Sequence, residues 1–245
     1  MGDIVGLRWH LYNDGRADGN YNFLEMSDKL VLITAQYCGR SNLNIIFQCL
    51  KEYGANFEVT TKRKEQTAFH LLYYNLALCK KITYNKDHLE RYQKVLFQAI
   101  KFLKEVGCNI NAKDKDVITM LSYFLGEKFL HQERLPIIQA LLDNGADPNI
   151  PVIIKYWGVF EAKTALIQAV RYKWPTSALE LIVKHGVDVK AVNKDGMNAL
   201  AVATQAKNLV IMTWMLDNIS IVSDNDSIKI AKKFAGSFSK EYIIK

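Results

Sequence analysis

The sequence predicts an all-α solenoid of about five helix-turn-helix units, with projecting hairpin turns and terminal capping helices. Three observations predict it. A short pattern recurs in LKEYGANFE from Leu50, LKEVGCNIN from Leu103, LLDNGADPN from Leu141 and IVKHGVDVK from Ile182, each with an aliphatic residue four places before a glycine. Each glycine closes a run with helical apolar spacing, as expected where a helix ends on a residue that adopts a left-handed backbone without a Cβ penalty. A threonine or asparagine then opens a new apolar run: Thr67-Ala-Phe-His, Thr119-Met-Leu-Ser, Thr164-Ala-Leu-Ile and Asn198-Ala-Leu-Ala. Such residues cap helix N-termini by accepting an otherwise unpaired backbone N–H.

The elements follow in order. The first unit runs about Leu30 to Asn56, with Ala35 and Gly39 in its first helix and turn. The second runs Thr67 to Asn111, the third Thr119 to Asn149, the fourth Thr164 to Asp188, and the fifth Asn198 to Asn218. Polar turns join the glycine stop of one unit to the N-cap of the next. The clearest is Asn193-Lys-Asp-Gly196, a tight hairpin signal. Two units are stretched, near 80–94 and at 150–163. Residues 1–29 form an N-terminal cap or arm, 30–218 the array, and 219–245 a capping helix and tail. That last helix, Asp226 to Phe238, is amphipathic through Ile228, Ile230, Ala231, Phe234 and Ala235. Terminal units need such covers because nothing else stacks on them.

This unit resembles the ankyrin repeat. The resemblance rests on Thr67-Ala-Phe-His70, Gly145-Ala-Asp-Pro-Asn149, Gly186-Val-Asp188, and Asp195-Gly196 followed by Asn198-Ala-Leu200. It covers roughly Leu30 to Asn218. Ala68, Met120, Ala165 and Ala199 replace the proline that follows the N-cap in the family pattern. Its histidine survives only as His70, with Ser122, Ile167 and Ala201 at the matching places. These departures imply a less stable array than a consensus one. Asn111 and Asn149, each eight residues after a leucine, resemble asparagines that animal asparaginyl hydroxylases modify; the simpler reading is that each completes its turn.

Composition narrows the function. Hydrophobic residues make up 49% of 245 residues, enough for a continuous core. No apolar run approaches the ~20 residues that span a bilayer. The N-terminus MGDIVGLRWH has neither the basic start nor the apolar core of a signal peptide, and Gly2 lacks the Ser/Thr of a myristoylation motif. Cys38, Cys49, Cys79 and Cys108 show no metal-ligand spacing, which predicts reduced, packed thiols and a cytoplasmic setting. A monomer is expected. No phosphate-binding glycine loop, zinc-protease motif or nucleophile elbow is present, so neither catalysis nor a cofactor is expected.

What remains is binding. The resemblance implies recognition through hairpin tips and through the inner face of the first helices, a concave groove. The positions seven and eight after each N-cap are Tyr74 and Asn75, Gly126 and Glu127, Arg171 and Tyr172, and Gln205 and Ala206. Tyr123 lies one turn nearer its N-cap. Rigid tyrosines beside an arginine are typical interface anchors. The long turn IPVIIKYWGVFEAK adds Tyr156, Trp157 and Phe160, and either folds back on the helices or presents a hydrophobic patch. The candidate partner-binding residues are therefore Tyr74, Tyr123, Tyr156, Trp157, Phe160, Arg171, Tyr172 and Gln205.

Two function classes follow. The first is a non-catalytic scaffold for a protein partner, one form of which is an effector secreted into a host cell. The second is a nucleic-acid-associated regulator. The net charge of +7 and the clusters Lys62-Arg63-Lys64, Lys80 to Lys104 and Lys229 to Lys245 support the second. Lysines solvating helix backs are the plainer account of those clusters.

Overall fold

The computed structural model describes residues 23–37, 43–78, 86–126, 131–154, 160–162, 164–219 and 229. The chain forms two compact units, residues 1–116 and 117–245.

The first unit holds α1 (Phe23–Tyr37), α2 (Leu43–Glu52), α3 (Ala68–Leu78) and α4 (Lys86–Glu105). α1 pairs with α2 and α3 with α4; α1 packs on α3, and α2 on α4. The sequence pattern explains the pairing. Leu43, Phe47 and Leu50 recur on one face of α2, and Leu96, Ile100 and Leu103 on one face of α4; all six are buried. Each such aliphatic or aromatic side chain contributes about 1.5–3 kcal/mol on burial. Phe47, Phe57 and Phe102 form a ring cluster with centroids 5.4–5.6 Å apart. α1 begins ahead of Leu30, where periodicity starts the first unit. Part of the stretch near 80–94 lengthens α4, which starts at Lys86.

The second unit holds α5 (Met120–Leu125), α6 (His131–Asp143), α7 (Ala165–Arg171), α8 (Thr176–Lys184), α9 (Ala199–Gln205) and α10 (Leu209–Asn218). α5, α7 and α9 pack in series, as do α6, α8 and α10; each first helix also packs on the second helix of its own pair. Five helix pairs are thus described, as the repeat count predicts. The elongated turn contains a short antiparallel pair, β1 (Val152–Ile154) and β2 (Phe160–Ala162), with Val152 opposite Ala162 and Ile154 opposite Phe160. The Ala165 N–H donates to the Pro148 carbonyl at 2.7 Å and closes the base of this insertion. β2 lies against α7. Among the described residues the regular structure is otherwise all helical.

The recurring pattern has a local cause. Gly54, Gly107, Gly145 and Gly186 have φ of 76°, 91°, 91° and 78°. The residue after the glycine donates back to the aliphatic residue four before it: Ala55 to Leu50, Cys108 to Leu103 and Ala146 to Leu141, at 2.9–3.0 Å. This satisfies carbonyls that the helix end would leave unpaired. Two places after each glycine stands Asn56, Asn109, Asp147 or Asp188, whose side-chain oxygen accepts the N–H two residues on at 2.8–2.9 Å. The order leucine, glycine, small residue, Asn/Asp is therefore a helix stop followed by a side-chain-closed turn.

Three of the four N-caps form as read. Thr119, Thr164 and Asn198 accept from Ser122, Ile167 and Ala201 at 3.3, 3.4 and 2.8 Å. His70 is buried, and its Nδ1 accepts the Thr67 N–H at 3.1 Å. Successive second helices are also linked, through His185 Nε2 and Asp143 Oδ1 at 3.1 Å. The expected capping helix Asp226 to Phe238 lies outside the described residues apart from Lys229. Cys49 and Cys108 are buried free thiols; Cys38 and Cys79 lie outside the described residues.

Candidate functional site

The first helices of the second unit begin on equivalent caps, so their ends are equivalent too. Seven residues after the cap stand Gly126, Arg171 and Gln205; nine after it stand Lys173 and Lys207 in the last two. Arg171, Lys173, Gln205 and Lys207 are exposed, while Tyr123 and Tyr172 are half-buried. Because α5, α7 and α9 pack in series, these side chains belong to one succession of helix ends. Three cations and two tyrosines sit along it among the described residues; Glu127, eight after the Thr119 cap, lies outside them.

The backbone at these ends is held in a special shape. Lys173 and Lys207 adopt φ of 59° and 52°. Trp174 N–H donates to the Ala169 carbonyl and Asn208 N–H to the Ala203 carbonyl, both at 3.0 Å. This is the closure seen at the second-helix glycines, with lysine in glycine's place. A non-glycine residue in the left-handed region costs about 1 kcal/mol or more. The positive charge partly offsets that by facing the negative helix C-terminus.

Two buried side chains fix the junction between α5 and α7. Gln168 Nε2 donates to the Ser122 carbonyl at 2.7 Å, and Trp174 Nε1 donates to the Leu125 carbonyl at 2.9 Å. Both are 1% exposed. They satisfy carbonyls at the end of the short helix α5, whose C-cap is Gly126. A Cβ on Gly126 would lie 3.1 Å from the Ser122 oxygen and 3.4 Å from Gln168 Nε2. Glycine there lets the two helices approach.

Of the residues singled out from sequence, Tyr123, Arg171, Tyr172 and Gln205 fall on this succession. Tyr74 lies on α3 in the other unit, its side chain outside what is described. Tyr156 and Trp157 lie outside the described residues. Phe160 opens β2, with its side chain likewise undescribed. Sequence reading missed Trp174 and Gln168, which position the site. The signal was present in Trp174-Pro175: a proline whose φ of −63° opens the next helix, preceded by the largest buried side chain of the described core.

Among the described residues, no group of three or more His, Cys, Asp and Glu could hold a metal ion. Nor is any described helix long and apolar enough to cross a membrane. Residues 128–226 match the family model of ankyrin repeats in three copies, a span that contains α6 to α10. No curated protein matches the chain.

Proposed function

We propose that this chain, which belongs to the ankyrin-repeat family through residues 128–226, is a non-catalytic scaffold that binds a protein partner on the first-helix ends of its second unit. Ankyrin repeats are in general protein-protein interaction modules, and that supports the class of function. The observation that carries the site is the succession Tyr123, Arg171, Tyr172 and Gln205 on helices packed in series. Its supporting shell is rigid. Gln168 and Trp174 hold the α5–α7 junction, so little ordering entropy is lost when a partner docks. Aromatic and arginine side chains on such a shell suit hot-spot recognition.

The insertion at 150–163 enters the same reading, with Tyr156, Trp157 and Phe160 as further contacts. Tyr74, on α3 of the first unit, is a separate candidate contact. The atypical repeats and the C-terminal Tyr242-Ile-Ile-Lys245 support a role as an effector in a host cell.

The test compares substitutions at the first-helix ends with substitutions on a second helix. Arg171→Ala and Tyr172→Ala should each weaken capture of the partner about tenfold or more, as hot-spot truncations do. Glu180→Ala and Lys184→Ala on α8, both exposed, should leave capture unchanged. Equal retention by all four variants would remove the site from the first-helix ends.

A further inference from the structure

The geometry points to a second binding surface, in the first unit: a basic platform built from two adjacent turns, which takes an acidic segment of a protein. The first turn carries Lys62, Arg63 and Lys64, and the second carries Lys113 and Lys115. Fifty-odd residues apart in sequence, the two are joined main chain to main chain, since the Lys115 N–H donates to the Lys64 carbonyl at 2.9 Å. Four of the five cations are exposed and Lys64 is half-buried. None of the five has an ion pair or side-chain hydrogen bond among the described residues. On α4, by contrast, Lys101 has Glu105 at 3.9 Å.

The platform is also built stiffly. In the first turn the Thr61 N–H donates to the Gln66 carbonyl and the Glu65 N–H to the Thr61 carbonyl, both at 2.9 Å. The Gln66 N–H donates to Thr61 Oγ1 at 3.1 Å. Glu65 is held at φ 55°. In the second turn Asp114 is buried, and its carboxylate accepts the Asp116 N–H at 2.9 Å. Lys113-Asp114-Lys115 therefore turns its acid inward and leaves its two cations outside. Like charges gathered on a fixed backbone repel one another, and an incoming anion relieves that repulsion.

The occupant is an acidic polypeptide segment for two reasons. The exposed Glu65 stands among the cations. It suits a ligand whose charges are spaced and opposes a continuous phosphate backbone, which carries a charge about every 1.7 Å of duplex axis. The rings of Phe47, Phe57 and Phe102 pack on one another, and Phe47 and Phe57 are buried; they offer no platform for unpaired bases. The inference shares with the proposed function only the premise of a protein partner.

The test uses the full chain and a fluorescein-labelled twelve-residue peptide alternating Asp-Glu pairs with Gly-Ser, read by anisotropy. One variant reverses Lys62, Arg63 and Lys115 to Glu. A control reverses Lys94, Lys101 and Lys104 on α4, which gives the same net charge. The platform variant should lose at least about tenfold in affinity, and the control less than about threefold. Both variants should melt cooperatively, well above the temperature of the binding assay. Equal losses in the two variants would mean that only net charge matters, and would overturn the proposal. Preferential binding of a labelled DNA duplex, lost in the same platform variant, would overturn it in favour of nucleic acid. Arg171 and Tyr172 are untouched, so failure here leaves the groove reading standing, and the reverse also holds.

Discussion

Asn149 grips the turn of the following repeat at two points. Its Oδ1 accepts the Asp188 N–H at 2.6 Å, and its Nδ2 donates to the Gly186 carbonyl at 3.0 Å. Its own N–H donates to Asp147 at 2.8 Å. The residue does more than complete its turn, since it joins consecutive repeats. Asn149→Ala should cost about 1–2 kcal/mol, the net worth of two such bonds at a half-exposed site. Asn149→Asp should also destabilise, because a carboxylate would face the Gly186 carbonyl. Urea unfolding of both variants checks this, and midpoints equal to the parent's would deny the residue its linking role.

Trp174 offers a graded test of the α5–α7 junction. Trp174→Phe keeps an aromatic filler but removes the N–H that meets the Leu125 carbonyl. That change should cost about 1–3 kcal/mol, the penalty for stranding a buried acceptor. Trp174→Ala should cost about 3–5 kcal/mol through the cavity it leaves. Thermal and denaturant melts would rank them. A Phe variant as stable as the parent would show that the hydrogen bond contributes nothing.

Strain is readable at Val117. Glu65, Val117 and Gly196 each stand two places before an N-cap, with φ of 55°, 62° and 71°. Only the last is glycine, and a β-branched residue is least suited to that region. Val117 is 39% exposed, so truncation forfeits only part of a valine's burial. Val117→Gly should stabilise the protein by about 1 kcal/mol, the left-handed penalty less the added chain entropy. Lys173→Gly and Lys207→Gly should act in the same direction. A lower melting temperature for the Val117 variant would contradict this account of the turn.

Cys108 provides a pH test. Burial above all, and then the nearby Glu58 charge, pushes its thiol up from 9.0 to about 12, while its Sγ donates to the Phe57 carbonyl at 3.3 Å. The folded state therefore binds this proton more tightly than the unfolded state. Its contribution to stability is fully present below about pH 9 and is lost as pH rises toward 12. The stability difference between the parent and Cys108→Ala should be flat up to about pH 9 and change above it. Rapid alkylation of native Cys108 at pH 8 would argue against a buried, protonated thiol.

Much of this fold is legible in the sequence because its signals are local. Glycine at the second-helix ends and Thr or Asn at the first-helix starts act within one turn, and neighbouring residues record them. The site is less legible. Trp174 and Gln168 act across a repeat boundary, and a chain pattern does not reveal which carbonyl a distant N–H will meet. Lys173 and Lys207 hide a helix stop, since lysine stands where glycine would announce it. The strand pair at 150–163 escaped for a similar reason: three-residue strands are too short for an alternation to stand out.

The central claim is that the first-helix ends of the second unit form the partner-binding face. Hydrogen-deuterium exchange of the chain with and without its captured partner tests it most directly. New protection is expected at residues 123–126, 171–175 and 205–208, with α6, α8 and α10 unchanged. Protection confined to α6, α8 and α10, with the first-helix ends exchanging as in the free chain, would contradict it.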